Sequence, residues 1–322
     1  MMLLIFLNLF KERKAVNMIN ITMILKHLYW KWIPYPCRKK IEQARLHQYK
    51  KQVMEELRMN IKNKKNAKEF QGILDRIMMH GLGVYNYDFV DNYSLRQFIE
   101  KIQYDRIAKM YYFLRNGKKM YISRKYNTAE MAAVCYKNIC VEQDESSPHR
   151  YLSKDFNVTE GGILVDIGAA EGFFSLDNIQ NFRKIYLLEC DFNWIEALNQ
   201  TFSNDIGEKV IIVPKFASDA NGSSCITIDR LLRNETLDKL TIKMDVEGAE
   251  AKVLNGCKKC FALAKEVSAF ITCYHRPDDS KELLSYIEGF EYEFSQGYMI
   301  NIFEKKLCKP YFRKGVIRAK KK

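Results

Sequence analysis

Residues 163–176 read ILVDIGAAEGFFSL. An apolar run, Ile163 to Val165, ends in Asp166. A tight turn follows (Gly168, Ala169, Ala170, Glu171, Gly172), and then a helix-like run from Phe173. The pattern is strand, glycine turn, helix. Gly168 and Gly172 lack a Cβ, so the backbone can approach a nucleoside or amino-acid ligand while the next helix points free N–H groups at it. The C-terminal end of a strand is where an open α/β sheet binds ligands. The spacing is not the three-glycine dinucleotide fingerprint.

From 163 onward apolar runs alternate with helix-like segments, which predicts an α/β fold with a mainly parallel sheet. Strands are expected at 163–167, 184–188, 210–214, 240–245, 267–274, 290–295 and 298–303. The last two form an antiparallel hairpin through Gln296-Gly297. Helices are expected near 172–181, 192–203, 249–262 and 279–288. Upstream, Asn116-Gly117 between aromatic-rich runs predicts a hairpin over 111–123, and Thr128 and Ser94 read as helix caps. Residues 36–80 read as polar helix, with 60–68 a linker or exposed helix end. This gives a mostly helical region over 1–110, a hairpin and helix over 111–160, a sheet domain over 161–306 and a basic tail over 307–322.

Chemistry-bearing residues gather at the expected strand ends. Glu189 closes the second strand about twenty residues after the glycine turn, the spacing at which a carboxylate accepts from both hydroxyls of a ribose. Ser218 and Asp219 follow the third strand, where an adenine amino group is read. Residues 240–256, LTIKMDVEGAEAKVLNG, carry Lys243, Asp245, Glu247 and Glu250. Lys243 and Asp245 share one strand face by period two, and Glu250 reads as solvent-exposed. His275 follows an apolar fifth strand, where a neutral imidazole can accept a proton.

The chain has 322 residues with 47% hydrophobic and 13% aromatic content, enough for a large core and too apolar for long disorder. Charge is uneven. Residues 1–70 hold 16 basic against 5 acidic side chains, a net +11, and residues 305–322 hold 9 basic and none acidic. Of the chain's +13, the remainder therefore carries −7. Basic ends suit an anionic surface, whether membrane lipid, acidic glycan or nucleic acid. The nine scattered cysteines imply reduced thiols and a cytoplasmic protein, and the basic ends allow peripheral contact with the anionic inner face of the membrane. Cys257 and Cys260 lack a second ligand pair for zinc. The ten-residue apolar start is too short to span a bilayer, and residues 21–35 mix Lys with Trp and Tyr as an interfacial helix does.

Taken with Glu189-Cys190-Asp191, CITIDRLL (225–232) and KMDVEGAEAKVLNG, the glycine turn resembles the FkbM-type methyltransferase family over residues 163–304. Cys190 stands where the family usually has proline. The EQDESSPHRY block and YHRPDD are similar to a bacterial glycan-associated branch. The resemblance implies a Rossmann-like class I fold that uses S-adenosylmethionine (SAM), to which the residues themselves add seven strands and a mostly helical N-terminal extension outside the family pattern. It implies O-methylation of a sugar hydroxyl in a glycan or related metabolite. The turn (Asp166, Gly168, Ala169, Glu171, Gly172) with Glu189, Ser218, Asp219 and Asp245 would hold SAM. His275 is the first choice of base, with Asp245, Lys243 and Glu247 as further catalytic groups. A divalent metal, where one is used, would sit on Asp245, Glu247 and His275. The alternatives are an RNA or DNA methyltransferase, disfavoured by the acidic centre and the absence of an Asn/Asp-Pro-Pro-aromatic motif, and a non-catalytic scaffold of a glycan-assembly complex.

Overall fold

The computed structural model describes residues 35–63, 66–304 and 306–321. The apolar start and most of the expected interfacial segment lie outside them. The chain divides into two units, 1–55 and 56–322, and helix α1 (Tyr35–Lys62) begins in the first and ends in the second. Next come α2 (Ala67–His80), α3 (Leu95–Ile99) and a small antiparallel sheet of β1 (Gln103–Asp105), β2 (Met110–Arg115) and β3 (Lys118–Tyr121). Asn116 and Gly117 both take positive φ, the geometry that a two-residue hairpin turn requires. Helix α4 (Ala129–Glu142) starts where the Thr128 side chain accepts from the Met131 N–H. Ser94 occupies the cap position of α3 without a side-chain bond.

The main sheet contains β4 (Gly162–Ile167), β5 (Phe182–Leu188) and β6 (Val210–Val213), linked by α5 (Phe173–Asp177) and α6 (Phe192–Thr201). A two-stranded pair, β7 (Phe216–Ala217) and β8 (Cys225–Ile226), and the turn of helix α7 (Ile228–Leu231) lead to β9 (Lys239–Met244). Helices α8 (Glu250–Asn255) and α9 (Lys258–Leu263), β10 (Glu266–Thr272), α10 (Asp279–Glu282), β11 (Glu291–Phe294) and β12 (Val316–Lys321) complete the chain.

The strand order is β11-β12-β10-β9-β4-β5-β6, with β12 antiparallel to both neighbours and the β10-β9-β4-β5-β6 pairs parallel. This is a seven-stranded, mainly parallel, Rossmann-like sheet, as expected. The chain leaves β4 in one direction through β5 and β6, then crosses back to β9 and β10 on the other side. The order therefore reverses between β4 and β9, and the crevice beyond their carboxyl ends is the place for a ligand. Alternation along the strands feeds two cores. Leu164, Ile185, Leu187 and Phe270 face one, with Phe113, Met120 and Tyr151 from upstream elements. Ile163, Val165, Ile242, Met244 and Ile271 face the other, against Val253, Leu254 and Phe261.

The end of the chain corrects two expectations. The antiparallel partner of β11 is not 298–303 but β12, and residues 307–322 are not a tail. The basic side chains of β12 have acids opposite them. Glu293 pairs with Arg318 and Glu291 with Lys320 in register, at 2.7 Å and 3.3 Å. Lys321 donates to the carbonyls of Phe261 and Ala264 at the end of α9, where the helix dipole favours a cation. Arg313 is paired with Glu304 and Lys309 with Glu56. The expected helix over 249–262 is broken at Gly256, where a Cβ would lie 2.3 Å from the Ser218 carbonyl oxygen. Cys257 and Cys260 are buried there, and each thiol donates to a backbone carbonyl.

Candidate active site

The β4 turn is shaped by the protein's own backbone. Gly168 has φ +71 and Gly172 φ +78, and Ala170 is also left-handed. A Cβ on Gly168 would lie 2.0 Å from the Asp245 carbonyl oxygen, and one on Gly172 2.7 Å from Leu198 and 2.8 Å from Phe202. The glycines are thus required by close packing of β4 on β9 and α6, a different cause from the direct ligand approach that the spacing suggests. Asp166 and Lys243 likewise act on each other beneath the turn. Asp166 Oδ2 accepts from the Ser175 hydroxyl at 2.7 Å and Oδ1 lies 3.1 Å from Lys243 Nζ. Lys243 also donates to the Gly168 carbonyl at 2.7 Å. Burial works against the Lys243 charge, but Asp166 and Asp245 outweigh it and raise its pKa. Lys243, expected among the catalytic groups, is therefore tied to the turn.

Glu189 stands at the crevice, with Oε2 accepting from Ala170 N–H at 2.9 Å and Oε1 from Cys190 and Asp191 N–H at 2.7 and 2.8 Å. The carboxylate fixes the turn and its own loop together. Ala169 and Glu171 are buried. Burial and then the nearby Glu142 push Glu171 up to about 7. Ser218 donates to Asp219, which is exposed on the loop after β7.

The β9 and β10 ends form a second group. Asp245 accepts from Tyr151 Oη at 2.9 Å and lies 3.3 Å from His149 Nε2 and 3.5 Å from His275 Nε2. Burial raises the Asp245 pKa, but the hydrogen bond to His149 and the charges of His149, His275 and Lys243 overcome it and hold the carboxyl well below its ordinary value. Glu247 takes a left-handed φ of +55 before Gly248, and its exposed carboxylate reaches 3.6 Å from His275 Nε2.

Glu250 corrects an expectation. It is buried, and its Oε1 accepts from Val246 N–H at 3.1 Å and Thr272 Oγ1 at 3.2 Å and lies 2.9 Å from His275 Nδ1. His275 is buried as well. Burial favours its neutral form, but the Glu250 hydrogen bond and the charges of Asp245, Glu250 and Glu247 raise it to about 9. The expected neutral imidazole is therefore a protonated one near neutral pH when only these groups surround it.

Of the expected residues, the structure brings Asp245, Glu247 and His275 together, and Gly168 and Glu189 flank them across the switch point. Ser218 and Asp219 belong to a separate loop. His149, Tyr151 and Glu250 complete the group, although the sequence names Glu250 only as an exposed acid and His149 and Tyr151 only within the EQDESSPHRY block. Glu250 was legible, because it shares a helix face with the apolar Val253 and Leu254 at spacings of three and four. His149 and Tyr151 meet Asp245 across 94 or more residues, and no local signal marks that.

Residues 166–298 match the family model of the methyltransferase FkbM domain. That stretch, less than half of the chain, is similar to the FkbM methyltransferase domain. No curated protein matches the sequence. Among solved structures, the methyltransferase FkbM from Methylobacillus flagellatus KT is 15% identical with a TM-score of 0.42, over 74% of this chain and 63% of that one. This chain therefore covers less than two thirds of that protein's length. M. jannaschii TYW2 in complex with AdoMet is 15% identical with a TM-score of 0.36, over 65% of this chain and 84% of that one. The FkbM match takes in the Asp166 turn, Glu189, Asp245 and His275, and leaves His149 and Tyr151 before its start.

Proposed function

We propose that this methyltransferase uses SAM and methylates a hydroxyl oxygen, with a sugar of a cell-surface glycan or a related metabolite as acceptor. The observation that carries the reading is the carboxylate of Asp245 set between two buried histidines at the switch point, beside the glycine turn and Glu189. The turn and Glu189 are placed for the cofactor, with the ribose hydroxyls donating to Glu189. In the transfer, the acceptor oxygen attacks the sulfonium methyl in line. SAM bound there would supply the methyl group and leave as a neutral thioether, while the acceptor hydroxyl would give up its proton towards the Asp245 carboxylate, the unprotonated group between His149 and His275. Holding the two reactants in line supplies much of the rate, and proton removal adds roughly 10²–10⁴-fold.

Acceptor class is a separate matter from chemistry. The basic side chains at positions 309, 313, 318 and 320 are paired with acids, which removes much of the C-terminal support for an anionic partner. Among the described residues no helix is long and apolar enough to cross a membrane. The test is transfer of label from methyl-labelled SAM to cell extracts split into glycan, lipid, protein and RNA fractions. Label in the glycan fraction supports the reading and label in RNA replaces it. SAM binding with no transfer to any fraction points to a scaffold.

A further inference from the structure

His275 is gripped at one nitrogen and bare at the other. Nδ1 meets Glu250 Oε1, which is itself fixed by the Val246 N–H and the Thr272 hydroxyl. Nε2 has no hydrogen-bond partner, although the side chain is only 4% exposed. A bare buried ring nitrogen is costly unless something occupies its lone pair or takes its proton. It points between two carboxylates, 3.5 Å from Asp245 Oδ1 and 3.6 Å from Glu247 Oε2. Donor atoms about 2.0–2.2 Å from one ion at tetrahedral angles lie about 3.3–3.6 Å apart. A carboxylate on the far nitrogen is also what a metal-ligating histidine ordinarily has. The atoms that lie within 4.8 Å of one another are those of Asp245, Glu250 and His275, while Glu247, an exposed side chain free to swing, reaches His275 Nε2 at 3.6 Å.

We infer that Asp245 Oδ1, Glu247 Oε2 and His275 Nε2 form a binding site for a divalent cation, with Glu250 as the positioning residue behind His275. One imidazole and two carboxylates suit Mn²⁺, Co²⁺ or Zn²⁺ better than a soft thiolate-seeking ion. The exposed rim at Glu247 leaves a coordination position open to an outside oxygen. Resting on the methyltransferase reading, that oxygen is the acceptor hydroxyl, whose pKa a bound cation lowers. The arrangement competing with this one is an imidazolium held by three acids and no ion.

The full chain, stripped with chelator, is titrated with Co²⁺ and followed by visible absorption, with Mn²⁺ binding measured by calorimetry and SAM affinity on the same samples. One equivalent of Co²⁺ with visible bands is expected. Glu247→Gln should weaken it about tenfold or more. The Glu247 side chain is 91% exposed, so the fold does not depend on it. Glu250→Gln should weaken binding roughly 10–100-fold and shift the Co²⁺ bands, because the ring it orients is the ligand. Absence of stoichiometric Co²⁺, or an affinity unchanged in both Glu247→Gln and His275→Asn, overturns the site. A protein that binds Co²⁺ in this Glu247-dependent way but never binds SAM keeps the ion site and loses the methyltransferase reading. One that binds SAM and no cation does the reverse.

Discussion

The two halves of the crevice are built differently. At the β4 turn the polar groups answer one another. Asp166 faces Lys243 and Ser175, and Glu189 takes three backbone N–H groups. At the β9 and β10 ends, buried atoms of His149, Glu250 and His275 lack hydrogen-bond partners, whereas at the turn the atom without one, Asp166 Oδ1, is held in an ion pair 3.1 Å from Lys243 Nζ. The first half is closed on itself and works as a scaffold that presents backbone and one carboxylate. The second half leaves buried polar atoms without hydrogen-bond partners, and it is where the proposed proton transfer or ion would act. Self-satisfied groups should therefore govern stability, and unsatisfied ones should govern chemistry.

The largest effect should come from breaking the scaffold's buried pair. Lys243→Met leaves Asp166 buried beside an apolar side chain and should cost roughly 3–5 kcal/mol in denaturant unfolding. A loss under about 1 kcal/mol would mean the pair is not the element that closes this half. Next, Gly168→Ala forces a Cβ into the Asp245 carbonyl at a left-handed φ, and should cost roughly 2–4 kcal/mol. If the variant instead kept its stability and lost SAM affinity alone, the glycine would be serving the ligand rather than the fold.

Glu171 sharpens the contrast by pH. Its folded value of about 7 lies above the ordinary 4.5, so the folded protein holds this proton more tightly than the unfolded chain does. The stability it contributes is present below about 4.5, is lost as pH rises towards about 7, and is gone above that. Glu171→Gln should thus stabilise the SAM-free protein by roughly 1–3 kcal/mol at pH 8 and by almost nothing at pH 4. A pH-independent effect would place the carboxyl in a different environment. The smallest effect belongs to the open half. Glu247→Gln should change unfolding free energy by less than about 0.5 kcal/mol, whatever it does to function. A larger loss would make Glu247 part of the scaffold.

What the sequence discloses follows the same division. The strands from 163 to 272 and the glycine turn are legible because each is a local pattern of period and punctuation. The β12 strand is not. VIRAKK reads as a basic tail until Glu291 and Glu293 are set opposite Lys320 and Arg318, and that pairing is fixed only when the sheet closes. The site divides likewise. Asp245, Glu247 and His275 follow from strand ends. His149 and Tyr151 arrive from the segment before β4, and nothing in their own neighbourhood marks Asp245 as their partner.

In the proposed cofactor site the β4 half holds SAM through Glu189 while remaining a scaffold. Calorimetric titration of SAM into the full chain and into Glu189→Gln tests it most directly. Binding at a single site is expected in the wild type, weakened about tenfold or more in the variant by the loss of charge-assisted hydrogen bonds to the ribose. A folded wild type that gives no heat with SAM, or a variant that binds it equally well, would contradict it.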